Sequence, residues 1–175
     1  DLIYLLGVAT DSLAEGSVTL GGSEYLKLSH QTVAGQPPKI NVYLELAVQA
    51  ACRCGIREGW VRSAHDCAEG GLAVALAEAC ISAQKGATIM LTQGSLRLDT
   101  LLFGEGGARI VVSVNPVHKA EWEAYCAQNC PDSQLIGTVG DRTTPLVLSP
   151  ESEATLISQA VGVLAEPWTT AIEQA

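Results

Sequence analysis

His65, Asp66 and Glu69 lie in the stretch VRSAHDCAEGGLAVALAE, residues 61 to 78, directly ahead of Gly70, Gly71 and a run that is almost wholly apolar. That run, LAVALAEACISA, carries a charge only at Glu78, so it is expected as a helix enclosed by a sheet on one side and by another layer on the other. The first amides of a helix lack partners inside it, and their partial positive charge attracts an anion. Gly70 and Gly71 remove the side chains that would hold such an anion away from the backbone. Asp66 has two readings. It caps or braces the turn, worth on the order of 1 kcal/mol, or it coordinates Mg²⁺, which takes carboxylate oxygen and commonly bridges to nucleotide phosphates. His65 reads either as a ligand contact or as a hydrogen-bonded histidine at the core edge, and the second is favoured because no partner nucleophile is in evidence. Glu69 is most simply a solvated charge.

A second glycine-rich stretch, Gly104-Glu105-Gly106-Gly107, precedes the most strand-like run of the chain, Arg109 to Val114. Its glycines make the turn permissive and leave room for a ligand near the backbone. Arg109 has a structural reading as the ion-pair partner of Glu105 or of a neighbouring acid. Gly21-Gly22-Ser23-Glu24-Tyr25 reads as a hairpin turn. The six cysteines form no CxxC pair, because Cys52 and Cys54 are separated by one intervening residue, Cys126 and Cys130 by three, and Cys67 and Cys80 are isolated. Reduced, mostly buried thiols are expected, and weakly a cytoplasmic location.

The elements that must position these residues follow from punctuation. Strands are expected at 2–6, 60–64, 87–91 and 109–114, and a hairpin from 135–139 and 146–148 around the turn residues 140–145. Helices are expected from Asn41 to Cys54, ended by Gly55; from Gly71 to Gln84; from Pro116 to Gln128, with Trp122 and Tyr125 on one face; and from Glu151 to Ala165, ended before Pro167. Interleaved strands and helices with short final connections argue for an α+β fold, a mixed sheet covered by helices.

The 175 residues suffice for one domain, and 1–175 is read as a single domain. The chain opens on Asp1 and runs straight into the apolar LIYLLG, which reads as a fragment cut from a longer polypeptide. A net charge of −9 disfavours a nucleic-acid partner, and the apolar runs are too short to span a membrane. With 47% hydrophobic residues, an exposed apolar patch is expected where a neighbouring domain is missing, and with it a possible homodimer.

Taken together, LGGSEYL at 20–26, SAHDCAEGGLAVALAE at 63–78 and LFGEGGARIVVSV at 102–114 resemble, in order and spacing, the C-terminal half of phosphoribosylformylglycinamidine synthase, related to aminoimidazole ribonucleotide synthetase. DLIYLLG at 1–7, Pro37-Pro38 and IGTVG at 136–140 agree with this. The resemblance implies a three-layer α/β/α domain, the C-terminal domain of the second synthetase half. It implies an ATP-dependent ligase of purine biosynthesis that makes formylglycinamidine ribonucleotide from formylglycinamide ribonucleotide and glutamine-derived ammonia. The implied partners are upstream synthetase domains of the same polypeptide and a glutaminase, with ATP and Mg²⁺ as cofactors. It implies Asp66 as a metal ligand, His65, Gly70 and Gly71 beside the nucleotide or phosphate, and Glu105, Gly106 and Gly107 at a turn that meets substrate in the other half. Gly106 and Gly107 replace the polar residues usual there. The fragment alone is expected to be inactive, with no catalytic residue of its own. The rival readings are a structural platform with no working site, and a domain of another ATP-using relative such as aminoimidazole ribonucleotide synthetase or selenophosphate synthetase.

Overall fold

A computed structural model of the chain describes residues 1–7, 16–92, 96–150 and 154–171. Its strands are β1 (Leu2–Gly7), β2 (Val61–Asp66), β3 (Ala87–Leu91), β4 (Arg109–Val114), β5 (Gln134–Val139), β6 (Leu146–Pro150) and β7 (Ile157–Gln159). Its helices are α1 (Glu24–His30), α2 (Val42–Arg57), α3 (Gly71–Ala83), α4 (Leu98–Phe103), α5 (Lys119–Asn129) and α6 (Val161–Thr170).

The strands form one mixed sheet in the order β2-β4-β1-β5-β3-β6-β7, antiparallel at every junction except the parallel pair β3–β6. β1 sits between β4 and β5 and is buried on both faces, which is why LIYLL reads as a continuous apolar run rather than an alternating one. Ile3 and Leu5 join Val111 and Ile136 in a core closed by α3, with Leu101 and Leu102 of α4 and Val161 of α6. Tyr4 and Leu6 join Val112 and Val114 in a second core closed by Val48 and Ala51 of α2 and by Trp122 and Cys126 of α5. The α+β class and the mixed sheet between two helical layers are as expected.

Four expectations need correction. The hairpin does not form, because β3 lies between β5 and β6. The segment 140–145 instead clamps the start of β3: the Gly86 amide donates to the Asp141 carbonyl, the Gly140 amide to Gly86 and the Ala87 amide to Pro145. The Asp141 carboxylate organises that turn by accepting from the amides and hydroxyls of Thr143 and Thr144, and these bonds hold its pKa down at about 2. Gly55 does not end α2; it is buried inside the helix, where a Cβ would stand 2.6 Å from Val61 and 2.7 Å from Trp122. The last helix starts at Val161, after β7 has paired with β6, so Pro167 lies inside α6. Finally, Gly21-Gly22-Ser23 turns into α1, whose first turn Ser23 caps by accepting from the Leu26 amide.

α4 was not anticipated, although Leu98, Leu101 and Leu102 carry the i, i+3, i+4 spacing of a short buried helix. Among the described residues no helix is long and apolar enough to cross a membrane. Exposed apolar side chains do concentrate between α1 and the first turns of α2: Leu28, Val33, Ile40, Val42, Tyr43 and Leu46.

All six cysteines are free, five of them buried and Cys54 partly so. Burial pushes the thiols of Cys67, Cys80 and Cys126 from an ordinary 9.0 up to about 11. A folded-state pKa above the unfolded one contributes stability below pH 9 that is lost as pH rises through 11. Denaturant titrations should therefore show stability falling between pH 9 and 11, and a thiol reagent at pH 8 should label Cys54 well before the other five. Trp122, fully buried against Tyr4 and Trp60, anchors the α5 layer. Trp122→Ala should lower the unfolding free energy by about 3–5 kcal/mol in urea.

Candidate functional site

β2 is an edge strand, and its last two residues are His65 and Asp66, paired with Val111 and Ile110 of β4. The two therefore sit on a strand end rather than in the loop. Strand alternation turns them to opposite faces of the sheet. His65 lies on the α3 face, where its Nε2 stands 2.7 Å from a carboxylate oxygen of Glu78 and its Nδ1 3.0 Å from the Asp66 carbonyl. This explains the one charge in an otherwise apolar helix: Glu78 ties α3 to the sheet edge. Sequence reasoning noticed Glu78 as an exception without finding its partner.

The Asp66 side chain is 74% exposed, and its nearest ionic neighbour is His65 Nδ1 at 3.6 Å. Among the described residues no group of three or more His, Cys, Asp or Glu side chains converges on a metal position. An exposed carboxylate at a strand end suits Mg²⁺ as one ligand of several, since that ion is commonly held by one or two carboxylates plus water and phosphate oxygens.

Gly70 and Gly71 both adopt positive φ, +80° and +69°, a conformation costly for other residues. α3 starts here without a side-chain cap of its own. The Gly71 amide donates to the Ala68 carbonyl at 3.1 Å. The Gly70 amide donates at 2.9 Å to Glu105 Oε1, and the same oxygen accepts from the Glu24 amide, the first of α1, at 3.0 Å. One carboxylate oxygen thus serves the amino ends of two helices, where their dipoles favour negative charge. The Glu105 backbone is held as well, by reciprocal hydrogen bonds with Thr19.

The flanking glycines have partners within the chain. A Cβ on Gly106 would run into the Ser17 carbonyl, and one on Gly107 into the Glu45 carboxylate. Glu45 in turn accepts from the Ala108 amide at 2.6 Å, which steadies Ala108 at its unusual φ of +54°. Gly71 is pressed against the end of α4, where a Cβ would lie 2.6 Å from the Gly104 carbonyl.

Arg109 does not pair with Glu105. Arg109 is 3% exposed, Nη1 donates to the Gly104 carbonyl at 3.4 Å, and Nε and Nη2 have no partner among the described residues. Desolvation lowers its pKa from the ordinary value. The structure thus gathers Gly70, Gly71, Glu105 and Arg109 around the start of α3, places His65 and Asp66 just before that turn, and leaves Gly106 and Gly107 against α2 and residues 17 and 18.

Removing the shared carboxylate strips two helix ends of their acceptor. Glu105→Ala should cost about 2–4 kcal/mol in denaturant unfolding. Glu105→Gln keeps an oxygen acceptor and should cost less than half as much. Equal losses in the two variants would show that the oxygen is not the working part.

The family model described as AIR synthase related protein, C-terminal domain, matches residues 1–147. Similar curated relatives include the phosphoribosylformylglycinamidine synthase subunits PurL of Synechococcus sp. (strain JA-2-3B'a(2-13)) and Cyanothece sp. (strain PCC 7425). The first is 56% identical over 90% of this chain and 20% of its own length, the second 50% identical over 99% and 22%. The chain thus spans about a fifth of the length of the curated relatives it matches. Among solved structures, Thermotoga maritima PurL complexed with FGAR superposes with a TM-score of 0.67 at 17% identity, covering 94% of this chain and 27% of that one. Escherichia coli HypE, a hydrogenase maturation protein, superposes with a TM-score of 0.57 at 18% identity, covering 91% and 49%. These two likenesses show the shared mixed-sheet fold. The edge-strand acid, the glycine-opened helix and the GEGG turn are thus held on a common scaffold, and the chain belongs to the family of AIR synthase related protein C-terminal domains.

Proposed function

We propose that this chain is the C-terminal domain of the second synthetase half of a phosphoribosylformylglycinamidine synthase. That enzyme is an ATP-dependent C–N ligase converting formylglycinamide ribonucleotide and glutamine-derived ammonia to formylglycinamidine ribonucleotide. The observation that carries the reading is identity of half or more with PurL proteins across nearly the whole chain. It is supported by the exposed apolar band from Leu28 to Leu46, with Tyr43 at 87% exposure, which suits burial against another domain of a longer polypeptide. The upstream synthetase domains are the proposed occupants of that band, a glutaminase is the ammonia source, and the cytoplasm is the proposed location.

When bound, ATP would supply the phosphoryl group that activates the amide oxygen, and Mg²⁺ would offset its charge. This chain's share is positional. Asp66 offers an exposed carboxylate oxygen as a metal ligand at the end of β2. The turn at Gly70 and Gly71 keeps side chains away from the start of α3, and His65, tied to Glu78, fixes the strand end from which Asp66 projects. Glu105 positions the two helix ends.

A second reading, a platform whose site does no work, is favoured by one observation: the Gly70 amide that an outside anion would use is already bonded to Glu105.

A chimera in which this chain replaces the matching fifth of a cyanobacterial PurL separates the two. Formylglycinamidine ribonucleotide formation should persist in the chimera and drop by about two orders of magnitude or more on Asp66→Ala, with the melting temperature retained. Near-normal turnover with a lowered melting temperature would establish the platform instead. The isolated chain should form no product, and product from it would overturn the assignment of catalysis to the assembled enzyme.

A further inference from the structure

Arg109 opens β4 on the α3 face of the sheet, in the row of Val111 and Ser113. A guanidinium remains protonated in proteins, so a side chain 3% exposed places a full positive charge inside the molecule. Burying an uncompensated charge is strongly unfavourable. No described group compensates it. Glu105 commits Oε1 to two amides, and no ion pair joins it to Arg109.

The geometry of the guanidinium is specific. Nη1 meets the Gly104 carbonyl, and the two groups without partners among the described residues are Nε and Nη2. Their N–H bonds lie on one edge of the guanidinium and form the fork that fits two oxygens of an oxyanion. The Gly104 carbonyl is the same atom that closes on Gly71, so the guanidinium lies beside the first residue of α3. That helix is 13 residues long; Glu105 takes the amide of its cap residue Gly70, the Ala68 carbonyl takes that of Gly71, and Gly70 has no side chain to cap the amides that follow. A buried positive fork and a helix start whose following amides lack a side-chain cap therefore flank one carbonyl. A carboxylate has oxygens enough for the fork alone, whereas a phosphate has enough for the fork and for helix amides together.

We propose that Arg109 is a binding residue for a phosphate-type anion, which its Nε/Nη2 edge grips at the start of α3. The inference rests on reading that helix start as the ligand-facing end of the domain, and it is independent of which reaction the larger enzyme performs.

Thermal melts of the 175-residue chain test it, with inorganic phosphate, ADP or adenosine added and sodium chloride matching ionic strength. Saturating phosphate should raise the melting temperature by about 4 °C or more. Arg109→Met should abolish that shift without lowering the melting temperature of the ligand-free chain, because it replaces an unpaired charge with a neutral side chain of similar length. Arg109→Lys, which keeps the charge and loses the fork, should retain less than half the shift. A shift with ADP but not with free phosphate assigns the anion to a nucleotide, and shifts with both assign it to phosphate generally. The proposal fails if neither moves the native chain or if adenosine matches ADP. It also fails if Arg109→Met or Arg109→Lys keeps the full shift, or if the ligand-free Arg109→Met chain melts lower or does not fold. Each of these failures would leave the chimera experiment, and the domain assignment it tests, untouched.

Discussion

One carboxylate oxygen holds together the part of this chain where the candidate site residues gather. Glu105 Oε1 accepts from the amides of Glu24 and Gly70 and so joins the starts of α1 and α3, which are distant in sequence. Neither helix could be moved without giving up a charge-assisted hydrogen bond at a positive dipole end. The stacked rings of Tyr25 and Phe103, 4.8 Å apart, reinforce the same junction by fastening α1 to α4. The glycines around it follow from the closeness of backbones: Gly71 against the Gly104 carbonyl, Gly106 against Ser17 and Gly107 against Glu45.

The sheet supplies the rigid frame for this junction. β1 and β4 send alternate residues into two separate cores, so that a one-residue slip would exchange Ile3 and Leu5 with Tyr4 and Leu6 and disrupt both. β2, at the edge, pairs among the described residues with β4 alone and carries mostly exposed residues. That makes it a suitable carrier for groups directed outward: Asp66 stays in solvent while the strand that bears it is held by β4. The His65–Glu78 contact keeps the edge from drifting away from α3.

Two features make little sense for a self-sufficient domain. Among the described residues a buried guanidinium has two unpartnered donors, and a band of apolar side chains from Leu28 to Leu46 faces solvent. Both are costs for the chain alone. The chain spans about a fifth of the length of the curated relatives it matches, and both costs would be met with the apolar band covered by a neighbour and the guanidinium compensated by an anion.

Local pattern was enough for the α+β class, a mixed sheet covered by helices, α2, α3, α5 and the central strands, because apolar periodicity and glycine or proline punctuation are local signals, whereas the three-layer arrangement came from the family resemblance. The residues of the candidate site stood out as well, since acids and glycines beside a helix start are visible without the fold. Their partners were not. That Glu105 serves Gly70 and Glu24, that Glu78 serves His65, and that Arg109 is left unpaired are facts about residues 13 to 81 positions apart or about an absence. The insertion of β3 between β5 and β6 and the burial of Gly55 under Trp122 were likewise decided by tertiary structure. Sequence records the propensity of each segment, but strand order and the identity of a buried group's partner depend on which segments pack together, and that is settled only when the whole core closes.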